Sequence, residues 1–246
     1  MWTKYGRIAH ELREMINSGK YRPGDLLPKI PDLMEQYDVA RDTVRDALAE
    51  LRNQGLVATK AGIGTVVRET TPIGLAYSPA MPAQTWDKQA GAEAFDKVIV
   101  AEWQQADKEI AGKLRISPGD RVVHRIRHQG KGRDVAQVHE QWISGAMAEA
   151  IKKTSGTDLA DLGSPQKTDL FTLSAQAGHA PVETTETLSC RMPDPDERDL
   201  LGLTTGVPVL ITMRTTVEAG EKPIETSVFV GAGDRMSTSF TVALEY

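Results

Sequence analysis

The chain has 246 residues, 40% hydrophobic and 26% charged, which predicts a globular protein of one or two domains with a sizeable core. Aromatics at 5% exclude an aromatic-lined single-strand binder, and the lone Cys190 excludes an intramolecular disulfide framework and points to a reducing cytoplasm. No apolar run nears the roughly 18 residues of a membrane span, and the charged start MWTKYGRIAHELREM does not read as a signal peptide; membrane, secreted and collagen-like classes are set aside. The net charge of −5 is uneven. Residues 1–70 hold 11 basic and 10 acidic side chains, the remainder 18 and 24. Neither part is basic enough for charge alone to imply nucleic acid, so that argument rests on where the arginines sit.

Tyr5, Ile8, Ala9, Leu12, Met15 and Ile16 recur at helical spacing and predict an amphipathic helix ended by Ser18-Gly19. Arg22-Pro23-Gly24-Asp25 is a turn by composition. A short helix is expected over Ile30–Tyr37, with Leu33 and Met34 inward and Pro31 in its first turn. A tight Asp38-Val39-Ala40 turn then leads to a helix over Arg41–Gln54, whose apolar face is Val44, Ala47, Leu48 and Leu51. The β-rich runs 56–60 and 65–68 flank a glycine-containing tip and predict a hairpin. Three helices and a hairpin in under 70 residues outline a winged helix-turn-helix.

Residues 69–92 carry Pro72, Pro79 and Pro82 among small polar residues and read as a mobile, protease-sensitive linker. A second domain then spans 93–246. Strands are expected over Lys97–Glu102, Arg121–Arg127, Val135–Ile143, Val182–Arg191, Val207–Glu218, Ile224–Val230 and Phe240–Leu244. Helices are expected over Ala106–Leu114, Ala146–Lys153, Asp169–Ala177 and Asp194–Leu201. Hairpins interrupted by helices define an α+β domain built on an antiparallel sheet.

In the third helix Arg41 and Arg45 are four apart and share a face. The N-terminal residues of a recognition helix enter the major groove, where arginine can take guanine O6 and N7 with two hydrogen bonds. Thr43 suits a phosphate or a thymine methyl. In the hairpin tip Gly62 and Gly64 permit close backbone approach to a minor groove, with Lys60 as the nearby charge. The alternative is that both arginines are solvated charges offset by Asp42 and Asp46, and that the tip is an ordinary turn. The short helix, tight turn and hairpin around them favour DNA.

Residues 5–68 resemble the DNA-binding domain of the GntR family of bacterial repressors. The resemblance is carried by Tyr5, Ile8, the stretch 18–28 (SGKYRPGDLLP), the stretch 38–48 (DVARDTVRDAL), Leu51, Gly55-Leu56-Val57 and Gly62-Ile63-Gly64-Thr65-Val66-Val67. It implies that Arg41 and Arg45 contact operator bases or phosphates, that Thr43 contacts backbone and that Gly64 sits at the wing tip. Two positions depart from the family pattern. Ile30-Pro31 stands where Glu-Arg is usual, and Ala40 where a Ser or Thr cap precedes the recognition helix.

In the second domain no HExxH, CxxC, P-loop or nucleophile-elbow pattern occurs. Asp194, Asp196 and Glu197 open a helix whose dipole favours acids there. His124, His128, His139 and His179 lack zinc spacing, and Cys190 is expected to be a buried packing residue. No catalytic residue, metal site or cofactor is therefore expected.

Residues 95–246 resemble the UTRA effector-binding domain of the HutC subfamily, a fold like chorismate lyase. The carrying segments are Arg125-Ile126-Arg127, Ala136–Trp142, Asp169-Leu170-Phe171, 201–209 (LGLTTGVPV) and 222–225 (KPIE) running to Asp234-Arg235. Arg125 and Arg127, two apart on a strand, face one side and suit a phosphate or carboxylate; the alternative is a surface pair meeting Glu140 and Glu225. His139 and Glu140 lie on the strand expected to pair with Arg125–Arg127, the resemblance places Arg127, Glu140, Glu225 and Phe229 in an effector cleft, and Thr168-Asp169 opens a helix whose N–H groups can hold an anion. Phe229 stands roughly where sugar-phosphate binders often have tyrosine, which points to another ligand.

The expectation is a homodimeric repressor of double-stranded, inverted-repeat operator DNA, released by a small, anionic effector and without membrane association. A repressor whose second domain only dimerises, and a lyase-like enzyme, are the rivals.

Overall fold

The computed structural model describes residues 3–60, 62–68, 73–77, 86, 91–164 and 168–240. They form two compact units. One joins residues 1–72 with 192–208 and 232–235; the other joins 73–191, 209–231 and 236–246.

In the first unit α1 is Lys4–Asn17, α2 Ile30–Tyr37 and α3 Arg41–Asn53. Ile8, Ala9 and Leu12 of α1, Leu33 of α2, and Val44, Ala47, Leu48 and Leu51 of α3 close one core with Leu27, Val57 and Val67. This is the apolar stripe read from the spacing, except that Tyr5 at its start is exposed. Asp38 adopts the left-handed conformation (φ 49°) that turns α2 sharply into α3. Ala40 sits at the N-cap of α3 with no side-chain cap, leaving first-turn N–H groups for an outside acceptor. Strands β1 (Val57–Lys60) and β2 (Gly64–Val67) pair antiparallel, and a bridge from Leu26 to Val66 adds a third segment to the wing. Segment 192–208 carries a short helix whose N-cap Asp194 accepts from the Glu197 N–H at 2.8 Å, so this acid caps the helix, as the dipole argument expects. Buried Asp234 bridges the guanidiniums of Arg68 and Arg235, while Thr204 Oγ1 donates to the Arg52 carbonyl at 3.1 Å.

The second unit is built on a six-stranded sheet. Its strands are β4 (Ala94–Gln105), β5 (Arg121–Lys131), β6 (Asp134–Ser144), β7 (Pro181–Arg191), β8 (Val209–Glu218) and β9 (Lys222–Ala232), in the order β4-β5-β6-β9-β8-β7. Its helices are α4 (Lys108–Leu114), α5 (Gly145–Ser155) and α6 (Leu170–Gln176). Val123 and Ile143 pack with Met147, Ala148 and Ile151 of α5 and Leu173 of α6. On the other face Val122 packs with Ile110, Ala111 and Leu114 of α4.

Ile73–Tyr77, read as linker, is a strand (β3) that pairs parallel with β10 (Met236–Phe240). Nearby, Trp86 is buried and donates its indole N–H to the Gly130 carbonyl at 3.0 Å. The segment is thus anchored at these points, and Pro72, Pro79 and Pro82 lie outside the described residues. So does 241–244 of the strand expected over Phe240–Leu244. Cys190 is exposed rather than buried, because β7 is a sheet edge.

Candidate functional site

On α3 the side chains of Arg41 and Arg45 are exposed, and the core residues Val44 and Leu48 face away from them. Arg45 has only a loose contact with Asp42, 3.9 Å between exposed groups, which leaves its guanidinium available to a base. Thr43 is half-buried beside them. At the wing tip Gly62 (φ 73°) and Gly64 (φ 134°) take conformations that favour glycine, and a Cβ on Gly62 would meet open space. Exposed Lys60 precedes the tip, and Ile63 on it is also exposed. All six residues expected to meet DNA therefore lie on the recognition helix or the wing.

The second site grows from the pleat of the sheet. Residues directly opposite across antiparallel strands share a face. Register places Arg125 opposite Gln141, Arg127 opposite His139 and Gln129 opposite Gln137. His139 in turn faces Phe229, and Gln141 faces Ser227. One face thus collects Arg125, Arg127, His139, Phe229 and Glu225. Arg125 is 2% exposed and Glu225 1%.

The structure also brings in residues that sequence reasoning missed. Arg127 Nε donates to Asp96 at 2.8 Å, and Gln129 donates to the same carboxylate. Arg214 of β8 lies 4.6 Å over the Phe229 ring and pairs with Glu186 of β7 at 2.6 Å. Glu225 accepts from Gln141, Ser227 and Thr216. Alternation of polar residues at Arg125, Arg127, Gln129 and at Gln137, His139, Gln141 was the available signal for the glutamines. Arg214 and Glu186 needed the β7–β8 register.

Three guanidiniums around one imidazole shape its chemistry. Burial, then Arg214, Arg127 and Arg125, hold the His139 pKa well below its usual value, so the ring is neutral and stacks on Phe229 at 4.0 Å. Burial, then Arg127, push Arg125 down to about 10, which leaves it charged at neutral pH. Among the described residues His139 Nε2 and Gln141 Oε1 are buried with no hydrogen-bond partner. Such atoms cost free energy until something pairs with them.

One expected member falls on the opposite face. Glu140 is one residue from His139, so the pleat turns it to the opposite face, where its carboxylate meets His124 Nε2 at 2.8 Å. Thr168 is half-buried at the start of α6. There Asp169 accepts from the Thr172 N–H at 2.9 Å, so a side chain already occupies one of the N–H groups expected to hold an anion. An open depression of about 570 Å³ lies along Phe171, Thr172, Ala175, Gln176, Ala180 and Pro181. None of the expected effector residues lines it.

Neutral His139 carries a pH prediction. Its folded pKa lies below its unfolded one, near 6.5. Below that value the unfolded chain takes up a proton that the folded chain refuses, so stability falls as pH drops. Urea midpoints should decrease from pH 7.5 to 5.5, and His139→Gln should flatten the slope. An equal slope in that variant would assign the effect to other groups.

A winged helix-turn-helix with exposed recognition-helix arginines, joined to an α+β unit with a polar buried sheet face, defines a DNA-binding regulator with a sensing domain. Residues 4–67 match the family described as bacterial regulatory proteins, gntR family, and residues 89–237 match the UTRA domain. The chain belongs to the GntR family, with the UTRA domain of the HutC type, and is a DNA-binding transcriptional regulator. It is 27% identical to the uncharacterized HTH-type transcriptional regulator SCO4628 of Streptomyces coelicolor, over 96% of this chain and 91% of that one. To the HTH-type transcriptional repressor PhnF of Mycolicibacterium smegmatis it is 26% identical, over 95% and 90%. The crystal structure of PhnF superposes with a TM-score of 0.60 at 25% identity, covering 96% of this chain and 99% of that one. A further GntR-family regulator shares the fold with a TM-score of 0.65 at 24% identity, over 99% and 98%. Among the described residues no helix is long and apolar enough to cross a membrane.

Proposed function

We propose that this protein is a cytoplasmic homodimeric repressor that leaves an inverted-repeat operator when a small molecule occupies the Arg125–Arg127 face. Two recognition helices in successive major grooves, about 34 Å apart, require a two-fold dimer and a palindromic site. Arg41 and Arg45 read bases; Thr43, Lys60, Gly62 and Gly64 meet the backbone. The chain is a regulator rather than an enzyme, and its sheet face binds without turnover.

The observation that carries the sensing role is the unpartnered pair His139 Nε2 and Gln141 Oε1, buried beside Arg125 and Arg127. A carboxylate or phosphate on the ligand suits the guanidiniums, and a donor group suits Gln141 Oε1. Asp96, Glu186 and Glu225 already balance the three arginines, which favours a ligand with hydrogen-bond donors as well as an acidic group. Release needs a coupling of only about 1–3 kcal/mol.

The test is Arg127→Ala, with operator affinity and its change on adding candidate ligands both measured. Intact operator binding with no ligand response is expected. Loss of both together would make Arg127 structural and misplace the site. Operator affinity insensitive to every ligand in the unsubstituted protein would favour a second domain that only dimerises.

A further inference from the structure

The wing presents one large apolar side chain to solvent at its tip. Val57, Val66 and Val67 of the wing are buried, but Ile63, between β1 and β2, is 59% exposed. The turn fixes it there. Its N–H donates to the Lys60 carbonyl at 3.0 Å, and Gly62 and Gly64 on either side have positive φ. The wing is also braced at its base, where the Leu27 N–H donates to the Thr65 carbonyl at 2.9 Å and Leu26 bridges to Val66. An exposed isoleucine on a braced turn is placed for a contact outside the chain.

The chemistry of the tip is one-sided. Residues 60–64 (KAGIG) carry no side-chain hydrogen-bond acceptor. Nearby, the Thr59 hydroxyl accepts from Arg52 at 3.2 Å, and Arg68 is held by Asp234, which leaves Lys60 for phosphate. In the minor groove an A·T pair shows only acceptors, whereas G·C adds the guanine N2 amino group. That group stands up from the groove floor. An aliphatic side chain laid over it meets added bulk and strips water from a donor without pairing it, which costs free energy. Apolar side chains are among those that proteins place in minor grooves.

We infer that Ile63 lies on the minor-groove floor and makes the operator prefer A·T to G·C at the pair it covers, once in each half-site. This role rests on the wing reading above and adds the base preference that the wing imposes.

Hydroxyl-radical footprinting of the full chain, on an operator selected from random duplexes, locates the pair under the wing. Duplexes with A·T, inosine·C or G·C at that pair are then titrated at one salt concentration. Inosine lacks the N2 amino group, so inosine·C keeps the minor-groove floor of A·T. The protein should bind A·T and inosine·C alike and G·C at least about fivefold more weakly, the scale of one wrong base pair. Ile63→Ala, a change at an exposed site outside the core, should bring the three affinities together. Lys60→Ala should weaken all three equally and keep the preference.

That pattern supports the inference. Equal affinity for inosine·C and G·C, or a preference for G·C through a tip carbonyl, overturns it. So does a preference that survives Ile63→Ala and disappears in Lys60→Ala, which would assign it to groove width read by the lysine. In each of these cases the wing still meets DNA. A footprint with no minor-groove protection beside the recognition-helix site overturns the wing reading as well.

Discussion

Alanine at both Arg41 and Arg45 is expected to weaken specific operator binding by about 2–6 kcal/mol. Each bidentate arginine–guanine contact discriminates by about 1–3 kcal/mol, and Arg45→Ala alone should lose that much. The sum holds if the two act independently; as neighbours on one helix face they can couple. Both side chains are exposed, and the loose Asp42 contact leaves Arg45 little to lose within the folded protein. Stability should therefore stay near that of the parent. Binding to a random duplex should fall much less, since it rests on phosphate neutralisation by many cations and weakens as salt rises. Titrations of operator and random duplex at one fixed salt concentration separate these terms. An unchanged operator affinity in the double variant would remove α3 from the interface.

Asp234→Ala is expected to destabilise the first unit by about 3–5 kcal/mol, the usual result of removing one partner from a buried ion pair. The Asp234 side chain is 2% exposed, and those of Arg68 and Arg235 are 14% and 11%. Alanine leaves two largely buried guanidiniums facing a void. A Cβ on Gly55 would lie 2.7 Å from Asp234 Cβ, so the carboxylate sits tightly against the end of α3. Denaturant titration should show the loss in the transition of this unit. Asp234→Asn, which keeps an acceptor but not the charge, should lose less. A change below about 1 kcal/mol in the alanine variant would mean that water replaces the carboxylate.

The helices of the DNA-binding portion were readable from spacing because each buries one stripe. Ile30–Tyr37 coincides with its expected span, and α3 ends one residue short of it. The strand Ile73–Tyr77 was not readable, since its parallel partner lies more than 150 residues away and prolines flank it. Local composition carries no trace of such pairing. Cys190 was misplaced for a related reason: alternation gives a strand its faces but does not say whether that strand is an edge. Glu140 is different, because the information was present. The pleat separates adjacent residues, so period two alone puts Glu140 and His139 on opposite faces. One-face spacing correctly put Arg41 with Arg45 and Arg125 with Arg127. Their carboxylate partners Asp96 and Glu186 depend on register between strands, which only the folded sheet supplies.

The first unit draws on residues 192–208 and 232–235 as well as 1–72. This bears on how such regulators can be rebuilt by recombination. A hybrid gene that joins a foreign DNA-reading head to this sensor at residue 70 exchanges Arg68, Arg52 and Gly55 but keeps Asp234, Thr204 and Arg235. The new head must then offer a guanidinium at 68 and a residue without Cβ at 55, or the hybrid inherits Asp234 with half its cationic balance lost and a Cβ pressed against it. Compatible heads are thus selected by a few positions remote from the operator-reading helix face. A graft that also transplants 192–208 and 232–235 escapes that filter.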